Sequence, residues 1–351
     1  MRNNFIRILL FCVPPLMTGC GDHNPPTIPY PAITTTAITD TSVSISWVAA
    51  NDSQTNASAL VYKVYQSVPD PAHGSFDTIA EVEAGTLAQT LTGVTSATIT
   101  GLTAGAGYYI NIVVQDEKEN KSLYTPLGEY FHTSQIYYYP FSANAYDVTA
   151  AANHLVVEPT GLTTYPSMTI DRFGHPNGAY YFNPLIAPTT PQCLQSTTAV
   201  GISGSASRSV SFWVKSANPD LAARVPFSWG NGGANGSTFG LLDNGAGSNW
   251  IAWLWGTANV STNTVVTTDW EHWVVGYDSG LVYTYKNGVV VNNGTLPLTA
   301  ANTVDSPLYV GCGREAGVVS YPYMGYIDDV RVFNQLLSST DVAKLYTVTS
   351  P

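Results

Sequence analysis

The side chains best suited to non-covalent recognition are tryptophans. Asn249-Trp250-Ile251-Ala252-Trp253-Leu254-Trp255 carries three of them in six residues, and Trp229 lies in the Gly-rich stretch Phe227-Ser228-Trp229-Gly230-Asn231-Gly232-Gly233. Exposed indole rings stack on the apolar C–H faces of sugars, while neighbouring amides and carboxylates supply hydrogen bonds. If 249–255 is a strand, Trp253 and Trp255 share one face and Trp250 looks the other way. Trp250, Trp229 and Trp255 are therefore the ligand-binding candidates, with Trp250 and Trp229 expected to be more exposed than Trp253. Tryptophans at period two are also what a sheet core contains, so both readings stand.

Chemistry that breaks bonds has weaker support. Glycosidases need two carboxylates at a set separation, and residues 134–349 hold few glutamates: Glu158, Glu271 and Glu315. No His-Glu-x-x-His, Cys-x-x-Cys, phosphate-binding loop or Gly-x-Ser-x-Gly elbow occurs. His154, His175 and His272 lack zinc spacing. Only a triad assembled by the fold would escape this reading.

Of the four cysteines, Cys12 and Cys20 lie near the start, and Cys193 and Cys312 remain. In an exported protein the last two could form a disulfide closing a long loop, or stand as separate buried thiols. The chain has 24 acidic and 13 basic residues, a net charge of −11. No basic cluster is present to neutralise phosphates, which argues against a nucleic-acid partner.

Positioning falls to β-strands. Charged residues make up only 11 % of the 351, and Thr, Ser, Asn, Gly and Tyr fill the difference, a composition of short strands and turns. Period-two runs recur: Ser42–Trp47, Tyr62–Tyr65, Ser96–Thr100 and Tyr109–Val114, then Ser209–Val214, Trp270–Tyr277, Leu281–Tyr285, Leu308–Gly311 and Gly325–Phe333. Asn287-Gly288 is the residue pair of a type I′ hairpin. Residues 338–346 form the one helix candidate, with Ser339 as its cap and Val342, Leu345 and Tyr346 on one side. The expectation is an all-β chain of two domains, 29–133 and 134–349.

The N-terminus reads as an export signal. Arg2 and Arg7 precede a short apolar run, Ile8–Val13, that is too short to span a bilayer. Leu16-Met17-Thr18-Gly19-Cys20 resembles the lipobox of bacterial lipoproteins. That resemblance implies loss of residues 1–19, lipidation of Cys20, and attachment to a bacterial membrane in the cell envelope, with the outer membrane or cell surface expected. An ordinary secretory signal beside a chance cysteine is the alternative. Residues 20–28, polar and proline-rich, read as a tether.

The first domain resembles fibronectin type III domains, an immunoglobulin-like sandwich. Trp47 stands for the core tryptophan of the second strand. Leu102-Thr103-Ala104-Gly105-Ala106-Gly107-Tyr108 stands for the Leu-x-Pro-x-x-x-Tyr corner, with Ala104 at the proline. The resemblance implies that the Tyr108 hydroxyl bonds nearby backbone.

The second domain resembles laminin-G-like, concanavalin A-like jelly-roll sandwiches of bacterial surface proteins. The resemblance rests on Ala145–His154, Asp171-Arg172-Phe173-Gly174 with Ala179–Phe182, the two strand tryptophans Trp213 and Trp273, and Gly325-x-Ile-Asp-Asp-Val-Arg-Val-Phe-Asn. Asn183-Pro184 replaces the family's Asp-Gly. Many such sandwiches hold calcium through aspartates near the chain ends, which implies Asp147 and Asp328, with Asp329 and Asn153 in support. The same carboxylates could instead cap turns or pair with Arg331. The expected role is a lipid-anchored binding or adhesion protein that recognises a glycan or a surface protein. An envelope assembly protein is the alternative, and a polysaccharide-degrading enzyme a third.

Overall fold

The computed structural model describes residues 23–158, 166–183, 193–218, 223–245, 249–295 and 301–351. Cys20 and the signal-like segment lie outside the described residues.

The first domain is a sandwich of two sheets. One holds β1 (Ile33–Ile38), β2 (Ser42–Trp47) and β5 (Ser96–Thr100); the other orders β4 (Thr86–Thr92), β3 (Val61–Gln66), β6 (Ala106–Gln115) and β7 (Lys121–Leu123), with β8 (Leu127–Phe131) also on β6. Alternation in β2 buries Val43, Ile45 and Trp47, and the Trp47 ring lies 5.6 Å from Tyr62. The Thr103 amide donates to the Tyr108 hydroxyl at 3.2 Å, so the tyrosine corner forms as expected. The chain enters this domain earlier than residue 29: Thr27 and Asn51 exchange backbone bonds of 2.6 and 2.8 Å, and Pro26 is buried. A six-residue helix, α1 (Ile79–Ala84), was not expected. It is too short for periodicity to show, but Thr78 and Glu81 form a complete capping box at its start.

The second domain is a larger sandwich. Its seven-stranded sheet runs β10 (Leu155–Glu158), β13 (Cys193–Ala199), β22 (Pro307–Val310), β15 (Arg224–Gly230), β16 (Thr238–Asp243), β17 (Asn249–Trp253) and β18 (Val260–Val265). Its eight-stranded sheet runs β11 (Ser167–Thr169), β12 (Ala179–Phe182), β25 (Gly325–Phe333), β14 (Arg208–Ser216), β19 (Glu271–Asp278), β20 (Leu281–Lys286) and β21 (Val289–Thr295), with β9 (Gln135–Tyr139) also on β25. A hairpin of β23 (Gly313–Glu315) and β24 (Val318–Ser320) stands apart. Asn287 and Gly288 both have positive φ, 50° and 78°, as the type I′ turn between β20 and β21 requires. Between the sheets lie Phe212, Val214, Trp229, Phe239, Trp250, Trp273, Leu308 and Ile327.

The Cys193–Cys312 disulfide forms, tying β13 to the segment after β22 across 119 residues.

The helix near the C-terminus, α2 (Ser339–Thr349), joins the domains. Its cap is Ser338, one residue before the expected Ser339, and Asp341 completes the capping box. Val342, Leu345 and Val348 share one apolar cluster with Tyr109, Val113 and Tyr130 of the first domain and Val274, Tyr285 and Phe333 of the second. The helix end presses on first-domain backbone so closely that a Cβ at Gly128 would sit 1.5 Å from the Val348 carbonyl oxygen. Only glycine fits there.

A bulge in β25 sets the polar half of this junction. Ser211 of β14 opposes Arg331 and Trp213 opposes Asp328, so the two residues Asp329 and Val330 share the single residue Phe212. Asp329 takes φ +53°. The extra residue turns both Asp328 and Asp329 toward the domain junction. There Arg331 donates to Glu129 of the first domain and to Asp329, each at 2.8 Å. Arg172 binds Asp328 and, at 2.9 Å, Asp329. Arg331 lies 3.8 Å over the Tyr138 ring.

Candidate ligand-binding face

The outer face of the eight-stranded sheet is aromatic. Strand alternation sends Phe182, Val214 and Ile327 inward, so their neighbours Tyr181, Lys215 and Tyr326 point outward. The register then lines them up: Tyr181 of β12 pairs with Tyr326 of β25, which pairs with Lys215 of β14. Trp270 precedes Glu271, the partner of Val214, and so stands beside Lys215. The row crosses four strands, about 14 Å at normal strand spacing. Tyr181 and Tyr326 rings are 4.8 Å apart, Trp270 and Tyr326 rings 6.1 Å, and the Lys215 ammonium lies 5.6 Å from the Tyr326 ring centre. All four side chains are half-buried.

Next to the row opens a groove of about 270 Å³, with Trp213, Trp270 and Tyr346 on its walls and Asn287, His73 and Ser350 as polar rim. Trp213 stacks on Tyr346 at 5.9 Å and donates its indole N–H to Thr349 at 3.2 Å. His73 comes from the first domain and is held by Ser350 and the Thr347 carbonyl. The face therefore offers ring surfaces for an apolar ligand face, one ammonium, and amide and imidazole groups for hydroxyls.

Two of the three tryptophans expected to bind ligand are core residues. Trp229 and Trp250 are fully buried. Trp229 packs 4.8 Å from Phe239 and donates to the Ile202 carbonyl. Trp250, with Ala252 and Leu254, takes the inward parity of its strand and packs 5.7 Å from Trp273. The expectation of exposure is corrected: Asn and Gly neighbours mark the ends of these strands, and parity puts the indoles inside. Trp255 is half-buried on the opposite sheet face with φ +72°, beside Trp253 and Tyr321. The Tyr181–Trp270 row was missed because its alignment depends on pairing between strands far apart in sequence.

The calcium candidates do not form a cage. Asp147 accepts backbone amides of Tyr138, Thr149 and Asn153 at 2.9–3.0 Å, and the Asn153 side-chain Oδ1 accepts from the Thr197 hydroxyl and the Thr198 amide. Asp328 and Asp329 are engaged by Arg172 and Arg331. Calcium needs six to eight oxygens, and guanidinium groups already occupy this carboxylate pair. Among the described residues no group of three or more His, Cys, Asp or Glu is placed to hold a metal ion.

Burial also governs the titrating groups. Burial raises Asp328 to about 8 against the pull of Arg172. Burial acts on Asp329 in the same sense, but Arg331 and Arg172 outweigh it and hold its carboxyl below the usual range. Glu129 is raised, chiefly by burial. Ser211 and His272 make a nucleophile-like pair, Oγ to Nε2 at 2.8 Å, yet both are buried and, among the described residues, the His272 Nδ1 has no partner. Burial lowers His272 to about 3. Glu271 is likewise committed: it accepts both the Trp250 and Trp273 indoles and pairs with Lys286.

Residues 24–126 match the family model of the fibronectin type III domain, and residues 192–343 match that of the concanavalin A-like lectin/glucanases superfamily. No curated protein matches the sequence. Among solved structures, the chain is similar to domain 4 of AbnA, a GH43 extracellular arabinanase from Geobacillus stearothermophilus, in complex with arabinotriose. Identity is 19 % over 61 % of this chain and 98 % of that one, with a TM-score of 0.49. It is also similar to the binding domain of botulinum neurotoxin DC in complex with rat synaptotagmin II, at 13 % identity, 61 % and 51 % coverage and a TM-score of 0.42. A third is the Ruminococcus gnavus IT-sialidase CBM40 bound to α2,3-sialyllactose, at 17 %, 45 % and 96 %, and 0.35. The chain thus spans about half of the neurotoxin domain and nearly all of the other two. From the two family models and the sheet topology, the chain is a fibronectin type III domain followed by a concanavalin A-like jelly roll.

Proposed function

We propose that this protein is a glycan-binding lipoprotein of the bacterial cell envelope, attached through Cys20 and recognising its ligand on the outer face of the eight-stranded sheet. The observation that carries the reading is the half-buried row Tyr181–Tyr326–Lys215–Trp270, aligned by strand register beside an aromatic groove. Flat rings in line across a sheet match successive sugar rings of an extended chain, and Lys215 and Asn287 supply hydrogen bonds. The fibronectin domain, packed on the same sheet through α2, holds the jelly roll out from the membrane and contributes His73 to the groove rim.

A glycan array followed by calorimetry on the best ligand tests the site. Trp270→Ala and Tyr326→Ala are each expected to weaken binding about tenfold or more, a loss of about 1.4 kcal/mol. Unchanged affinity in both variants would refute the assignment, and a silent array would favour a protein ligand or an assembly role. The anchor is tested by palmitate labelling of cells making the parent or Cys20→Ala; equal labelling rejects it.

A further inference from the structure

A second opening lies between the domains and shares no lining residue with the groove beside the aromatic row. It is a cleft of about 340 Å³, within the range of small-molecule sites, about 300–1,000 Å³. Neither domain builds it alone: Tyr30, Thr34 and Leu127 come from the first, and Phe173, His175 and Asp328 from the second. Its mouth is aromatic. Phe173 is 39 % exposed and stacks 5.8 Å from His175. Tyr30 meets the same imidazole edge-on at 6.1 Å and donates its hydroxyl to the Pro176 carbonyl at 3.1 Å.

Asp328, Asp329 and Arg172 on the inner wall belong to a buried ion network that continues behind it to Arg331 and Glu129. Among the described residues the three carboxylates are paired with these two guanidinium groups, and each of the five side chains is at most 7 % exposed. With all three carboxylates ionised, one negative charge of the network is left over. Asp171, also on the cleft wall, is held by the Phe173 and His175 backbone amides and the His175 ring, and brings no positive charge to the network. The excess has a definite address. Asp328 Oδ2 is bound by Arg172, whereas among the described residues Oδ1 accepts no hydrogen bond, and the residue lines the cleft. A charge out of water is stabilised by a partner, so a cation reaching Oδ1 of the ionised carboxyl gains both pairing and desolvated contact.

We propose that the interdomain cleft binds a small organic cation, a primary ammonium on a ring-sized apolar body, with the ammonium donating to Asp328 Oδ1 and the body packed against Phe173 and Tyr30. Carbon bodies fit the aromatic mouth, which a bare metal ion would leave unused.

The test uses the full-length protein above pH 8, where Asp328 carries its charge, with cyclohexylammonium as probe and cyclohexanol as its neutral twin, read by calorimetry. The ammonium is expected to bind about tenfold tighter than the alcohol, with Asp328→Asn removing the difference. Phe173→Ala, at the exposed mouth, is expected to weaken both probes and decides the matter should Asp328→Asn fail to fold. Trp270→Ala, which lines the other groove and not this cleft, leaves the affinity unchanged. Competition by glucosamine or by Nα-acetyl-lysine amide tells an amino-sugar source from a lysine side chain. Equal binding of ammonium and alcohol, or thermal protection by calcium and not by the ammonium, overturns the proposal.

Discussion

Arg331 of the jelly roll donates to Glu129 of the fibronectin domain at 2.8 Å, and both side chains are wholly buried. The same guanidinium holds Asp329 and covers the Tyr138 ring. With the apolar cluster around α2, this makes the junction an interior rather than a hinge.

Arg331→Met should therefore cost far more than an exposed ion pair. Removing one partner strands buried carboxylates, a loss of about 3–5 kcal/mol. Thermal unfolding of the parent is expected to show one transition for both domains, and the variant to melt lower with the transitions separated. Two independent transitions in the parent would contradict a shared interior.

The tryptophans should divide sharply. Trp250→Ala and Trp229→Ala each empty a core site and are expected to lose about 3–5 kcal/mol in urea unfolding. Trp270→Ala, half-buried on the sheet face, should cost about 1 kcal/mol or less while losing ligand. Equal destabilisation by Trp250→Ala and Trp270→Ala would count against the placement of either ring.

The disulfide closes a loop of 119 residues. Replacing both Cys193 and Cys312 by Ser is expected to lower stability by about 2–5 kcal/mol. Alkylation of the native, unreduced protein followed by mass measurement should leave both sulfurs unmodified; two added groups would rule the bond out.

Stability should also track pH through Asp328. Below about pH 4 its carboxyl is protonated in folded and unfolded chains alike. Between there and about 8 only the folded chain keeps the proton, so stability falls as pH climbs through that window. His272, lowered to about 3, acts in the opposite sense: its contribution is present above about 6.5 and lost toward acid. From about pH 6.5 to 8 the Asp328 effect stands alone of the two. Melting temperatures of the parent should drop across that interval relative to Asp328→Asn; parallel curves would show that Asp328 is not proton-bound.

Much of the architecture was legible in the chain itself. Val43, Ile45 and Trp47 announce a half-buried strand by alternation alone, and Asn287-Gly288 dictates a hairpin because both residues accept positive φ. Local chemistry sufficed there, since neighbours in sequence determine period and turn. Tertiary structure alone decided which face each tryptophan meets, that Asp328 and Asp329 answer to arginines, and that Tyr181, Tyr326, Lys215 and Trp270 stand in one row. Those outcomes depend on register between strands up to about 145 residues apart and on a one-residue bulge in β25. A single step in either would send every side chain to the opposite face, and no run of adjacent residues records that choice.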